Sequence, residues 1–238
     1  HLDHFDTRIN RFDLTQMLFH ISTVNMSGLN ARIYQQQPLL PAPAAASQED
    51  TTATLPGIFV EKLSLDEIGI DYRNAVTALQ LKTDVKSLDM TARKMDFTTG
   101  VIDLEKLWVD GLKGSFELGK HAEGTKQSPA EQGKEAETDT QEGQPWRIAA
   151  GDLQIKNSSF RFDDNNQPLQ PAGMDYAHLL ADKIVLKATN VLFGDSIRAD
   201  IREASLREQR GLVLQQLKGS FLYSATEAYA KDFLLQTP

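Results

Sequence analysis

The sequence predicts an all-β protein: a curved antiparallel sheet forming an elongated, repetitive β-groove of the β-taco kind, with few or no helices. Three observations lead there. A strand unit recurs in which two apolar residues alternate, a gap of five shifts the alternation by one, and the alternation resumes. It reads Val24, Met26, Ala31, Ile33, then Leu63, Leu65, Ile70, Tyr72, then Leu153, Ile155, Phe160, Phe162, then Ile184, Leu186, Val191, Phe193. Period-two alternation marks a half-buried strand, and recurrence of a strand unit marks an array built by repetition. The pentapeptide Leu-Lys-Gly-Ser-Phe then occurs twice, at residues 112–116 and 217–221. Helical periodicity, by contrast, is thin: residues 13–21 and 226–235 fit a short amphipathic helix or a strand equally well.

Along the chain, the first strand unit is followed at 35–57 by a Pro- and Ala-rich insert with Pro38, Pro41, Pro43 and Pro56 and no periodicity. The unit at Leu63 ends in a turn at residues 72–75. Residues 77–86 then set Leu79, Leu81 and Val85 against Gln80, Lys82, Asp84 and Lys86, a sheet with one wet face, as antiparallel sheets tolerate. Gly114 and Gly219, inside the shared pentapeptide, are expected to mark bends. Residues 119–145 form an acidic insert without large apolar residues, expected to be a mobile, solvated excursion because it cannot offset its ordering entropy. Trp146 opens the next strand, and Asp163-Asp164-Asn165-Asn166 is a turn by composition. Ile197, Ala199 and Ile201 alternate with Arg198, Asp200 and Arg202. The gap of five flips which parity is apolar. A β-bulge at Asp66-Glu67 and at Lys156-Asn157 would keep one face apolar and bend the sheet.

The bulk properties bound the function. With 238 residues and 40% hydrophobic content, the chain holds one large β domain, read as a section of a single repetitive groove over 1–238, with material for a substantial core. No run approaches the roughly 18 apolar residues of a membrane span. The start, His1-Leu2-Asp3-His4, has no secretory signal, and the chain reads as a section excised from a longer protein. The absence of cysteine excludes disulfides and thiolate chemistry. A net charge of -8 argues against nucleic acid and against docking on anionic headgroups, so any lipid must be reached through apolar surface.

Chemistry is hard to find. His1 and His4 have a spacing that could clip a metal but sit at a terminus, and His121 lies in the acidic insert. His20 and His178 stand among apolar neighbours with no carboxylate at ligand spacing, which suits hydrogen-bonded strand histidines. No G-x-S-x-G, H-E-x-x-H or P-loop occurs. Asp163-Asp164 and Glu67 are best read as turn and surface acids, and residues 163–167 lack the ligand spacing of a calcium loop. The reading is of a non-enzyme without cofactor or metal. The aromatics Phe116, Phe160, Phe162, Phe193 and Phe221 fall on the apolar parity. Either the strands close into a two-sheet sandwich, or the apolar face lines a groove closed by a ligand.

Ladders such as residues 153–162, the run 184–193 and the closing Leu234-Leu235-Gln236-Thr237-Pro238 resemble in rhythm the TamB and AsmA-like proteins of Gram-negative cell envelopes. The likeness is greatest to the large TamB-like proteins of Bacteroidetes-type bacteria, and it carries no catalytic residues. It implies a periplasmic β-groove section of a parent anchored in the inner membrane. That groove would carry phospholipid acyl chains between inner and outer membranes, or support outer-membrane biogenesis with assembly proteins engaged through flanking regions. The implied wall is Leu63, Leu65, Ile70, Tyr72, Leu79, Leu81, Val85, Leu153, Ile155, Phe160, Phe162, Ile184, Leu186, Val191 and Phe193. The alternative is an extracellular β-sandwich or solenoid module for adhesion or carbohydrate binding, for which only Trp108 and Trp146 are available as exposed platforms.

Overall fold

The computed structural model describes residues 1–13, 18–37, 57–96, 99–119 and 146–238. All regular structure among them is strand: β1 His4–Asp13, β2 Leu18–Ser27, β3 Asn30–Gln35, β4 Gly57–Asn74, β5 Leu79–Asp96, β6 Val101–Asp110, β7 Lys113–Leu118, β8 Arg147–Asp164, β9 His178–Phe193, β10 Ser196–Glu208, β11 Val213–Ser224 and β12 Ala228–Gln236. The two segments that fit either helix or strand hold no helix among the described residues: they fall in β1, β2 and β12, with 226–227 outside regular structure. The twelve strands form one curved sheet in the order β1-β2-β4-β5-β6-β8-β9-β10-β11-β12.

β2 and β3 run in line against the two halves of β4, broken only at Gly28-Leu29. β6 and β7 do the same between β5 and β8, broken at Gly111-Leu112. Both of these two-part strands lie parallel to the next strand in sequence, β4 and β8. The sheet is therefore mixed, which corrects the expectation of antiparallel pairing throughout. The physical reason is chain connectivity: parallel neighbours need a crossover of a dozen or more residues. The two non-periodic inserts stand where those crossovers occur; residues 38–56 and 120–145 of them lie outside the described residues.

Cross-strand rows show how the alternation was used. One row runs Phe5, Met26, Leu65, Leu88, Val109, Ile155, Leu186, Ala204, Leu217, Leu235, each paired with the next, so ten strands contribute an apolar side chain. The adjacent row, one residue along, is Asp6, Asn25, Ser64, Asp89, Trp108, Gln154, Lys187, Glu203 and points to the other side. The sheet thus has one apolar and one polar face. A small buried cluster, Met90, Ala92, Leu104 and Ala150, sits at its centre, ringed by Leu63, Leu107, Leu153, Val191 and others of the apolar face.

The parity flips are carried by left-handed residues aligned across the sheet. Gly28 (φ 65°), Glu67 (φ 51°), Gly111 (φ 67°) and Asn157 (φ 49°) stand side by side on successive strands, with Lys86 between Glu67 and Gly111, and Lys183 (φ 53°) continues the line on β9. A second line contains Asn190 (φ 52°), Gly219 (φ 142°) and Asp232 (φ 50°). On β8 a register shift accompanies Asn157. At Glu67 the register with β5 passes unshifted, because both strands flip together opposite Lys86. The predicted bulge is there a paired kink. The first-copy bend lies at Gly111, not at Gly114, whose missing Cβ instead leaves room for the Phe160 ring 3.4 Å away. In the second copy Gly219 does lie on a fold line.

Turns fall close to their sequence signals. The β4–β5 turn occupies residues 75–78, later than expected, with Asn74 Oδ1 accepting from the Val76 and Thr77 amides at 2.9 and 3.2 Å, and the next strand begins at Leu79. All twelve described strands belong to one hydrogen-bonded sheet, so no separate second sheet packs on it among the described residues, and a two-sheet sandwich is not the architecture.

Candidate functional site

The candidate site is the apolar face itself. Every residue of the expected wall lies on it. Leu63 and Leu153 share one row with Val24, Met90 and Leu107; Leu65, Ile155 and Leu186 belong to the ten-strand row. Beyond the first fold line, Ile70 and Phe160 stand in a row with Ala31, Thr83 and Gly114, and Tyr72, Leu81 and Phe162 in one with Ile33, Phe116 and Leu179. Leu79 pairs with Leu118, Val85 with Ile68, and Ile184 with the buried Ser158. Val191 pairs with Ala150 in the central cluster, and Phe193 lies between Ile148 and Ile197.

Two observations establish that the face is continuous across the fold lines. Asn157 donates from Nδ2 to Asp110 at 2.7 Å, so Asn157 shares the polar side with Asp110 and its cross-strand partner Lys156. With both on the polar side, Ile155 and Ser158 return to the apolar one. Asn190 likewise donates to Asp200 at 2.7 Å beside Thr189, which pairs with Asp200, so Ala188 and Val191 share the apolar face. Asn190, seconded by Ser220, holds the Asp200 carboxyl below the usual carboxylate range.

The face is open at its edges and beyond the first fold line, where Leu81 is 37% exposed, Phe160 45%, Phe5 51%, Ile33 52% and Leu235 52%. It is half-buried to buried at its centre, around Val109, Ala204 and the Met90 cluster. Ring contacts occur between neighbouring strands, as in the Phe116–Phe162 stack at 5.9 Å and the Phe221–Phe233 edge contact at 5.9 Å. These two pairs give the repeated pentapeptide a role that the sequence did not disclose: each copy supplies the phenylalanine of an aromatic pair. The recess of about 500 Å³ at the first fold line belongs to the polar side, bordered by Gly28, Glu67, Gly69, Asp84, Lys86 and Lys113.

The titratable residues support structure. Asp175, fully buried, accepts from the Gln170 amide (2.9 Å), the Ala177 amide (3.2 Å), His178 Nδ1 (3.1 Å) and Arg210 Nη2 (3.1 Å). The Gln170 amide, with His178 and Arg210, outweighs burial and holds its carboxyl below the ordinary range. This cluster fastens the β8–β9 loop to the β10–β11 turn. His178, the first residue of β9, is thus a hydrogen-bonded strand histidine as expected, and its partner is a carboxylate three residues away where none at ligand spacing was expected. His20 Nε2 is buried without a hydrogen-bond partner among the described residues, and its ring lies 4.8 Å from that of Phe59. His1 Nε2 bonds Asp3 at 2.6 Å. Asp163 is paired with Arg161, and Asp164 is buried and caps the Asn166 amide at 3.0 Å. Among the described residues no three His, Asp or Glu side chains are placed to hold a metal ion, and no helix is long and apolar enough to cross a membrane.

Comparison with protein-family models, with curated proteins and with solved structures finds no match to this chain.

Proposed function

We propose that the apolar face carries phospholipid acyl chains, and that the chain is a periplasmic section of an envelope protein of the TamB or AsmA-like kind. Such a section would serve lipid transport between membranes or outer-membrane assembly, and it does so without catalysis. The observation that carries this reading is the ten-strand apolar row from Phe5 to Leu235, with no second sheet over it among the described residues.

The dimensions suit that cargo. Nine strand spacings of about 4.8 Å give the row a contour of about 43 Å. One leaflet of acyl chain is about 15 Å deep, half of a hydrocarbon core of about 30 Å. Each buried methylene contributes about 0.8 kcal/mol, so ten contribute about 8 kcal/mol before the cost of ordering the chain. Transfer of lipid onto the face also removes from water a surface that would otherwise drive association of the protein. The acidic balance of -8 supplies no basic cradle for a phosphate, so the face selects chains and not headgroups.

Native mass spectrometry with lipid extraction, on protein expressed to the periplasm of a Gram-negative host, tests the proposal. Phospholipid is expected to co-purify with the wild type and to be lost in Phe162→Asp and Leu81→Asp, with the strand content by circular dichroism retained. A folded, lipid-free wild type, or undiminished lipid in both variants, would overturn it.

A further inference from the structure

The polar face carries one large aromatic that the lipid reading does not use. Trp108 stands in the polar row between Asp89 and Gln154 and is 40% exposed. A tryptophan on a solvated sheet face gains little from burial there, and its orientation is fixed on both sides. The indole Nε1–H donates to Asp152 at 2.8 Å, which prevents the ring from turning. Lys106 Nζ lies 4.3 Å from the ring centroid, a cation placed against the π system.

Beside Trp108 lies a recess of about 140 Å³ bordered by Ser87, Asp89, Val109, Asp110, Gln154 and Lys156. These polar residues form two adjacent cross-strand rows: Asp89, Trp108, Gln154 and Ser87, Asp110, Lys156. Lys106 and Asp152 belong to the next row on the opposite side of the indole. The Lys106–Asp152 row and the Asp110–Lys156 row that borders the recess thus flank the Trp108 row on opposite sides. Around the recess stand carboxylate acceptors on Asp89 and Asp110, the Lys156 ammonium as donor, the Gln154 amide, whose Nε2 donates to Asp152 at 3.2 Å, and a hydroxyl on Ser87. Asp89 Oδ1 already accepts from Ser64 at 3.1 Å and Asp110 Oδ1 from Asn157 at 2.7 Å, which holds both carboxylates at the border of the recess.

We infer that this recess is a saccharide subsite, in which the apolar C–H face of one pyranose ring lies on the Trp108 indole. Ring hydroxyls donate to Asp89 and Asp110 and accept from Lys156. A few convergent polar groups around an exposed aromatic are what a hydroxylated ring requires: its C–H groups need a flat apolar partner and its hydroxyls need both donors and acceptors. The mixture of two carboxylates with a lysine and an amide matches a neutral sugar better than a bare cation, for which Lys156 is repulsive. The subsite lies on the face opposite the lipid strip and does not depend on it.

Indole N–H resonances provide the test, because the chain has only two tryptophans. The folded protein is titrated with glucose, galactose, mannose and N-acetylglucosamine as methyl glycosides, with the Trp108 resonance assigned from Trp146→Phe. At least one glycoside is expected to shift the Trp108 resonance saturably and leave that of Trp146 in place. Trp108→Ala, followed through the Gln154 and Asp110 amides, is expected to weaken binding at least about tenfold, the equivalent of about 1.4 kcal/mol. Asp110→Asn and Lys156→Ala are expected to weaken it several-fold and serve should Trp108→Ala fail to fold. The inference is overturned if no glycoside moves the Trp108 resonance at its solubility limit, or if tetramethylammonium moves it while no glycoside does. Undiminished affinity in Asp110→Asn and Lys156→Ala would also overturn it.

Discussion

Asn157 Nδ2 reaches the Asp110 carboxylate at 2.7 Å from a left-handed backbone, φ 49°, and so turns two consecutive residues of β8 onto the polar face. Without that turn, alternation would send Phe160 and Phe162 to the side opposite Leu153 and Ile155. The apolar face is continuous because single residues of this kind stand in line across the strands.

Asn157→Val is therefore expected to destabilise the protein by about 2–3 kcal/mol, combining about 1–2 kcal/mol for a β-branched residue in the left-handed region with about 1 kcal/mol for the lost hydrogen bond. Asn157→Gly forfeits only the hydrogen bond and is expected within about 1 kcal/mol of wild type. Urea midpoints at constant slope measure both. A valine variant as stable as the glycine variant would mean that the fold line costs nothing to build.

Two glycines on the same strand path separate a bend from a packing gap. Gly111 has φ 67°, and a Cβ there would meet Lys86 Cβ at 2.8 Å, so Gly111→Ala is expected to cost about 1–3 kcal/mol. Gly114 has no positive φ and its added Cβ would meet only the Phe160 ring at 3.4 Å. Gly114→Ala is expected to change stability by less than about 1 kcal/mol, since reduced unfolded-state entropy offsets the contact. Thermal or urea unfolding of the pair decides; equal losses would contradict the assignment of the bend to Gly111.

Asp175 makes the loop before β9 sensitive to acid. Its carboxyl titrates lower in the folded protein than in the unfolded chain, where an aspartate titrates near about 3.9. Its contribution is thus fully present above that value and disappears as pH falls through the folded one. Asp71, Asp200 and Glu203 are lowered too and act in the same direction. The difference between wild type and Asp175→Asn isolates the one group. That difference is expected to be large at pH 7 and to shrink below about pH 4. At pH 7 the amides of Gln170 and Ala177 are expected to exchange faster in the variant, as hydrogen–deuterium exchange reads. A gap in stability that stays constant into acid would contradict the role.

Much of this was legible in the sequence, for a physical reason: side-chain parity is a strict period-two signal, and Leu63, Leu65, Ile70 and Tyr72 show both the strand and the flip. Glu67 and Asn157 are residues at which the flip was expected, and both are left-handed. Strand direction was not legible, because parity is the same for parallel and antiparallel neighbours. The inserts at 35–57 and 119–145 acquire meaning only once β4 and β8 are seen to run parallel to the strands before them. The bend at Gly111 is not legible in the sequence, because the glycine that the pentapeptide repeats is Gly114. The face of Trp108 was ambiguous because Leu107-Trp108-Val109 is apolar throughout, and only pairing with Asp89 and Gln154 settles it. The Asp175–Arg210 contact joins residues 35 apart in sequence, and no local pattern announces it.

Neighbouring residues on opposite faces allow the most direct test. Leu153 points to the apolar side with Leu107, and Gln154 to the polar side with Trp108. A photoreactive benzoylphenylalanine is placed at each position in turn, in protein loaded with a radiolabelled phosphatidylethanolamine. Crosslinked lipid is expected at 153 and at background level at 154. Equal labelling at both positions, or none at 153 in folded protein, would contradict the account of the apolar face as the lipid-bearing surface.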